Sequence, residues 1–383
     1  MNFDKIIVKT YAGLEEVLQQ ELKQKLGIDS KLKKRAVELS GDLEDVYLIN
    51  LHIGTALKVL VPILTFKAFN DKQLYKKTLK FEWEDWLSID DTFVIDAVVF
   101  SEVFRHSQFA ALRVKDAICD RFRDKFQERP SIDKDNPTLR INLHIADKQV
   151  TLLLDSSGNS LHQRGYKRGF HPAPISEVLA HGIIRKIRLD SEMPLIDPMC
   201  GSGTFLTEAV LALSNTPPNI YRKEFGFMKW KNFDSFAWEN ILNQSKINSN
   251  KNELMIKGYD LSEKYVSASN ANLKEIKFDN QIMVEQGDFF HVVPDYEHGV
   301  MLFNPPYNER LRIDDLKDYY KSIGDKLKQD WTGWDVWMIT SNMEALKFIG
   351  LRPSKKIILF NGALECRLVK YEMYRGSKKE KKN

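Results

Sequence analysis

The stretch Asp197–Ala209, DPMCGSGTFLTEA, restricts the fold more than any other. Leu195–Asp197 reads as a short strand, Gly201 and Gly203 follow as a turn, and a helix opens near Thr204. Glycine tolerates the backbone angles of a sharp turn and lets a ligand come close to the main chain. The helix start offers unpaired N–H groups and a partial positive charge to a carboxylate or phosphate. Strand, glycine turn and helix in this order predict a parallel α/β sheet that binds a nucleotide-like cofactor at its carboxyl edge.

The downstream sequence continues the pattern. Further strands are expected at Met255–Tyr259, Gln281–Glu285, Val300–Asn304 and Asp335–Thr340, and a closing hairpin pairs Lys356–Phe360 with Cys366–Met373. Asp260 ends the second of these strands and Asp288 follows the third. In adenosyl and dinucleotide folds an acid at the first of those places accepts from ribose hydroxyls. Asp288 is placed to meet an adenine amine, with Phe289 alongside; Pro198 and Leu261 border the same edge. A dinucleotide site spaces its acid about twenty residues from the glycines. Here residues 214–254 intervene, carrying Trp230, Phe233, Phe236 and Trp238, and this weakens a dinucleotide reading.

The fourth strand ends in NPPY, residues 304–307. Pro305 and Pro306 break nothing, because the strand is over; they fix φ near −65° and hold the Pro305 carbonyl beside the Asn304 amide. Two rigid acceptors a short distance apart match an sp² NH₂ group. Such an amine is a poor nucleophile because its lone pair is delocalised into the ring. Accepting both hydrogens favours a localised lone pair without a strong base. Tyr307 offers a flat face to the base, worth roughly 1–3 kcal/mol by stacking.

With 383 residues, two or three domains are the expectation. A hydrophobic fraction of 43% with 29% charged residues fits a globular protein, and no run of 18 apolar residues suggests a membrane span. No basic-then-apolar leader opens the sequence. The three cysteines lie far apart without metal-ligand spacing, so no metal and a reducing cytoplasmic setting are expected. Residues 1–155 carry 24 Lys/Arg against 25 Asp/Glu, so any nucleic-acid contact there depends on local clusters. Short strands and helices alternate through residues 1–155, suggesting an α+β region, with Gln108–Gln127 the clearest helix: Ala110, Val114, Ile118, Phe122 and Phe126 form one apolar stripe. Residues 156–192 read as a connector with one helix, Ile175–Ile187, and residues 193–383 as the α/β part.

DPMCGSGTF, GYD, GDFF and NPPY in that order resemble the class I S-adenosylmethionine-dependent methyltransferases that modify exocyclic base amines. The run SEVFRHSQFAALRVKDAI (Ser101–Ile118), together with RGYKRGFHPAPISEVLA (Arg164–Ala180), resembles the THUMP-containing bacterial guanine-N2 methyltransferases of 23S ribosomal RNA. The resemblance implies a Rossmann-like class I methyltransferase domain, a mostly parallel doubly wound sheet with a terminal antiparallel hairpin. An α+β RNA-binding region precedes it, ferredoxin-like at its start with THUMP over about 43–155. It implies S-adenosylmethionine as cofactor, with Gly201 and Gly203 under its methionine and ribose and Asp197 at its amino group. Asp260 and Leu261 would meet the ribose, Asp288 and Phe289 the adenine; Pro198, Thr204 and Asn304 would also border the cofactor. Asn304, Pro305 and Tyr307 would hold the target amine. Arg105, Arg113, Lys115, Arg164 and Arg168 are the expected RNA contacts, and a monomer is expected. Two alternatives stay open: a transfer-RNA guanine-N2 methyltransferase, and an RNA-binding ribosome assembly factor without significant catalysis.

Overall fold

The computed structural model describes residues 1–167, 175–247, 253–306 and 313–374. Two units emerge, and packing rather than chain order separates them. The first takes Met1–Thr10, Gln19–Gln163 and Arg222–Gln244; the second takes Tyr11–Leu18, Arg164–Tyr221 and Ser245–Asn383.

The first unit runs β1 (Asn2–Lys9), α1 (Glu15–Leu26), β2 (Lys31–Lys33), β3 (Ala36–Asp42), α2 (Leu43–His52), β4 (Lys58–Lys67), α3 (Asp71–Leu79), β5 (Thr92–Phe100), α4 (Ser107–Phe126), β6 (Ser131–Ile132), β7 (Leu139–Ala146) and β8 (Gln149–Asp155). Its eight strands form one sheet in the order β2-β3-β1-β4-β8-β7-β5-β6. β5 lies parallel to β6 and β7, and the other neighbours are antiparallel. Asp42 opens α2 with a reciprocal cap: its carboxylate accepts from Asp45 N–H while Asp45 accepts from Asp42 N–H, both at 3.0 Å. α4 buries Ala110, Val114, Ile118 and Phe122 as its spacing predicts. Phe126 does not join them. It is 49% exposed, because the helix stops there and Gln127 turns left-handed at φ 63°.

The second unit runs α5 (Glu177–Ile187), β9 (Leu195–Asp197), α6 (Thr204–Leu213), then α7 (Ser235–Ile247), most of which belongs to the first unit. It continues with β10 (Ile256–Asp260), α8 (Glu263–Glu275), β11 (Met283–Gln286), β12 (Gly299–Phe303), α9 (Ile313–Asp330), β13 (Trp334–Thr340), β14 (Lys355–Asn361) and β15 (Leu364–Glu372). The sheet order is β11-β10-β9-β12-β13-β15-β14. Five strands are parallel, and β15 and β14 close the sheet as an antiparallel hairpin. One core cluster packs α5, α6 and α8 residues such as Ile183, Leu206 and Leu273 on Ile256 and Leu302. The other packs Tyr320, Ile323 and Leu327 of α9 on Met301, Phe303 and Met338. Helices on both faces explain why the central strands β9, β12 and β13 are buried almost throughout. Leu14 and Val17, from the start of the chain, are buried in the first cluster, which is why Tyr11–Leu18 leaves the N-terminal unit.

The aromatics between residues 214 and 254 go to several places; Trp230 is buried edge-on to Trp86 at 6.4 Å. Phe225, Phe227 and Trp238 gather around Tyr47 of α2, with Phe227 at 4.5 Å and Trp238 at 5.9 Å from its ring centre. Phe236 stands 74% exposed.

The structure overturns the expectation that Arg164 guides RNA. Arg164 is 1% exposed, and its guanidinium donates to both oxygens of Glu208, at 3.2 and 3.3 Å, and to Asn219 at 3.1 Å. Tyr166 donates to Glu208 at 3.0 Å and His181 Nδ1 lies 2.9 Å from it. Burial alone would raise the Glu208 carboxyl; Arg164 and His181 outweigh it and hold the group below its usual range. This network ties the connector to α6, the helix that the glycine turn opens. Glu208→Gln strands a buried guanidinium, so urea melting is expected to show a loss of roughly 3–5 kcal/mol; an unchanged midpoint contradicts it.

Candidate active site

The carboxyl ends of β9, β10, β12 and β13 border an open cavity of about 1460 Å³. Asp197, Pro198, Gly201, Thr204, Asp260, Leu261, Asp288, Phe289, Asn304 and Pro305 line it, bringing ten of the expected site residues together. Tyr307 and Arg168 lie outside the described residues.

Two hydrogen bonds shape the floor. Gly201 N–H donates to Asp260 Oδ2 at 2.9 Å, and Ser262 N–H donates to Oδ1 at 2.9 Å, so the turn after β9 is fastened to the end of β10. Gly201 adopts φ 54°, and a side chain added there would meet nothing within 4 Å: the backbone is bare toward the cavity. Gly203 behaves differently. It does not line the cavity, and a Cβ would fall 2.0 Å from Ser269 Oγ of α8. The missing side chain lets α6 and α8 approach.

Asp197 is 1% exposed and accepts Met199 N–H at 3.1 Å. Burial pushes its carboxyl well above the usual carboxylate range, and the charge of Asp260 adds to this. Such a group suits a cationic ligand. The Cys200 thiol is also pushed well up, by burial first and then by Asp197 and Asp260, so it packs rather than attacks. Asp288 accepts Phe290 N–H at 3.0 Å. The ring of Phe289 is 2% exposed and lies 6.0 Å from Phe303, nearly parallel, so it packs below the cavity edge. Phe290 stands edge-on to Tyr319 at 5.8 Å, and both line the cavity. Burial, then Tyr320, Asp288 and Asp260, pushes the Tyr319 hydroxyl up to about 12; it donates to Met199 Sδ at 3.5 Å.

Sequence reasoning passed over several of these groups. Lys167 brings its ammonium to Glu177 at 2.7 Å and Thr204 Oγ1 at 3.4 Å, placing a cation beside the start of α6. Ser341, Asn342, Met343 and Glu344 enter from the turn after β13; their signal is position alone, at the end of a parallel strand. In the first unit, Arg105 donates to the Glu102 carbonyl at 3.3 Å. Arg113 sits 4.7 Å over the Tyr75 ring and 3.9 Å from Asp116, which also pairs with Lys115 at 2.7 Å.

These residues fit an adenosyl amino acid: a bare glycine turn, a buried acid that would suit an ammonium, a helix start that would suit a carboxylate, and acids at the end of β10 and after β11 that would suit hydroxyls and an amine. The fold and the cavity define a class I S-adenosylmethionine-dependent methyltransferase. The chain belongs to the RMKL-like methyltransferase family, whose domain matches residues 164–370, preceded by a THUMP domain over 68–155 and an RlmL ferredoxin-like domain over 5–60. It is 36% identical to a Synechocystis protein provisionally named as an RNA methyltransferase, over 94% of this chain and 95% of that one. It is also 36% identical to a ribosomal RNA large subunit methyltransferase K/L of Syntrophotalea carbinolica, over 94% of this chain but 52% of that protein. The chain thus spans about half the length of the K/L relatives it matches. The fold is shared with SMU.472, a methyltransferase-like protein crystallised with S-adenosylhomocysteine, at TM-score 0.87 and 24% identity, covering 98% of this chain and 99% of that one.

An ammonium brought against Asp197 favours its charged form, so binding releases a proton, and affinity rises with pH until the free carboxyl is fully ionised. Calorimetry with S-adenosylhomocysteine in buffers of differing ionisation enthalpy is expected to show up to about one proton released, and none with Asp197→Asn. Equal release by both proteins contradicts this.

Proposed function

We propose that this protein transfers the methyl group of S-adenosylmethionine to the exocyclic N2 amine of a guanine in 23S ribosomal RNA. The observation that carries the reading is the cavity itself, which joins the strand-end acids Asp260 and Asp288 to Asn304 and Pro305 in one space. Asp197 would hold the cofactor's ammonium and the start of α6, with Lys167, its carboxylate. Asp260 would accept from the ribose and Asp288 from the adenine amine. When bound, the cofactor supplies an electrophilic methyl on a positive sulfonium.

The chain's own work is positioning. Asn304 Oδ1 and the Pro305 carbonyl accept the two hydrogens of the target amine and leave its lone pair free toward the methyl donor. Holding two reactants in line can contribute several kcal/mol without acid–base chemistry. Tyr307 stacks on the base, offsetting the few kcal/mol needed to unstack it from the RNA. Ribosomal RNA as the substrate is supported by the names of the K/L relatives and by the THUMP match. Arg105, Arg113 and Lys115 are the proposed phosphate contacts in the first unit; such contacts act through shape and backbone charge.

Asn304→Ala is expected to lower methyl transfer by at least 10²-fold while RNA binding stays within about threefold. Mapping methylated guanines in ribosomal and transfer RNA, from cells with and without the gene, tests the substrate. A site lost from 23S RNA supports the reading; a site lost from transfer RNA, or on adenine, contradicts it.

A further inference from the structure

The wall of the cavity beyond Asn304 comes from the turn after β13. Asn342 lines the same space as Asn304 and Pro305. Parallel pairing sets Phe303 beside Met338, so Asn304 leaves β12 level with Ile339. β13 ends at Thr340, so Asn342 lies two residues beyond the end of that neighbouring strand.

Asn342 is held from several directions. Its Oδ1 accepts Ala345 N–H at 2.9 Å, which starts the short helical turn Ala345–Phe348. Its own N–H donates to Thr340 Oγ1 at 3.1 Å, and that buried hydroxyl is 3.1 Å from the Tyr320 hydroxyl. An N–H can be met only by an acceptor, so the bond from Ala345 fixes which end of the amide is oxygen. The NH₂ end remains, with two donors, on a residue that borders the cavity; among the described residues no hydrogen bond takes them.

Guanine carries its N2 amine and its O6 acceptor on one edge, with N1–H between them. Adenine carries a donor where guanine has O6. A held donor bordering the same cavity as a two-acceptor corner therefore matches guanine and opposes adenine. We propose that Asn342 is a specificity residue: its NH₂ donates to O6 of the target guanine while Asn304 and Pro305 hold the amine. This rests on reading the Asn304 corner as the amine site. A pocket built to hydrogen-bond one substrate atom rejects the analogue that lacks it far more strongly than a pocket built on shape, because its polar group is left unpaired.

The test uses the full protein and an RNA fragment carrying the mapped site with guanine or with 2-aminopurine, which keeps the amine and lacks O6. The wild type is expected to prefer guanine by about 10- to 100-fold in kcat/KM, the effect of one buried donor left unpaired. Asn342→Ala is expected to lose most of that preference. Losses that come from other changes in the ring are common to both proteins, so the ratio of ratios isolates this contact. Asn342→Asp keeps an oxygen for Ala345 N–H and turns the donor into an acceptor facing O6, so its guanine turnover should fall below that of Asn342→Ala. S-adenosylhomocysteine binding should stay unchanged in both variants, which confirms that they fold. Undiminished guanine preference in Asn342→Ala, or wild-type turnover in Asn342→Asp, overturns the inference and leaves the guanine activity standing. A wild type that methylates adenine instead overturns the activity, and this inference with it.

Discussion

The hydrogen bond from Gly201 N–H to Asp260 Oδ2, 2.9 Å long, links two places that lie 59 residues apart in sequence. It forms because β9 and β10 run parallel, so both end on the same edge of the sheet. Parallel pairing repeats between β9 and β12 and between β12 and β13, bringing Asn304 and then Asn342 to that edge. The distance along the chain matters little once the strands are in register. That Gly201, Asp260, Asn304 and Asn342 share one cavity follows from a single rule of α/β sheets: ligands gather where parallel strands stop.

Much of this was legible because it depends on local chemistry. Glycines followed by a helical run, acids at strand ends and two prolines after a buried strand each announce their geometry within a few residues. The strands from Leu195 onward emerged within two residues of their expected ends. What stayed hidden depends on partners far away. Arg164 looks like a surface cation until Glu208, 44 residues on, turns out to meet it inside the core. Gly203 has a second reason to be glycine that only the fold reveals, because α8 brings Ser269 against it. Asn342 belongs to no motif, and only the β12–β13 register gives it meaning.

The division of the chain has a physical cause of the same kind. Leu14 precedes α1 and Val17 lies in its first turn, yet their burial lies with Leu179 and Ile183 of α5. Conversely, Phe225, Phe227 and Trp238 follow the first methyltransferase helix in sequence, yet cluster on Tyr47. A cut at residue 155 removes two core residues from the second unit, and loss of Arg222–Gln244 uncovers apolar rings in the first. Each unit holds residues that arrive late or early in the chain, so neither completes its core as one continuous stretch.

The strain in the account sits at Asp197, a buried acid whose charge is costly until a cation arrives. In the proposed reading, it and the bare Gly201 backbone would favour an ammonium-bearing ligand at one end of the cavity, while Asn304 and Pro305 would receive an amine at the other. A crystal structure with S-adenosylhomocysteine measures directly whether these two ends face each other. The account predicts the ligand's amino group at Asp197 and its sulfur turned toward the Asn304–Pro305 corner, with room for one methyl group between that sulfur and an amine held there. A sulfur directed away from that corner, or a ligand seated outside the cavity, contradicts it.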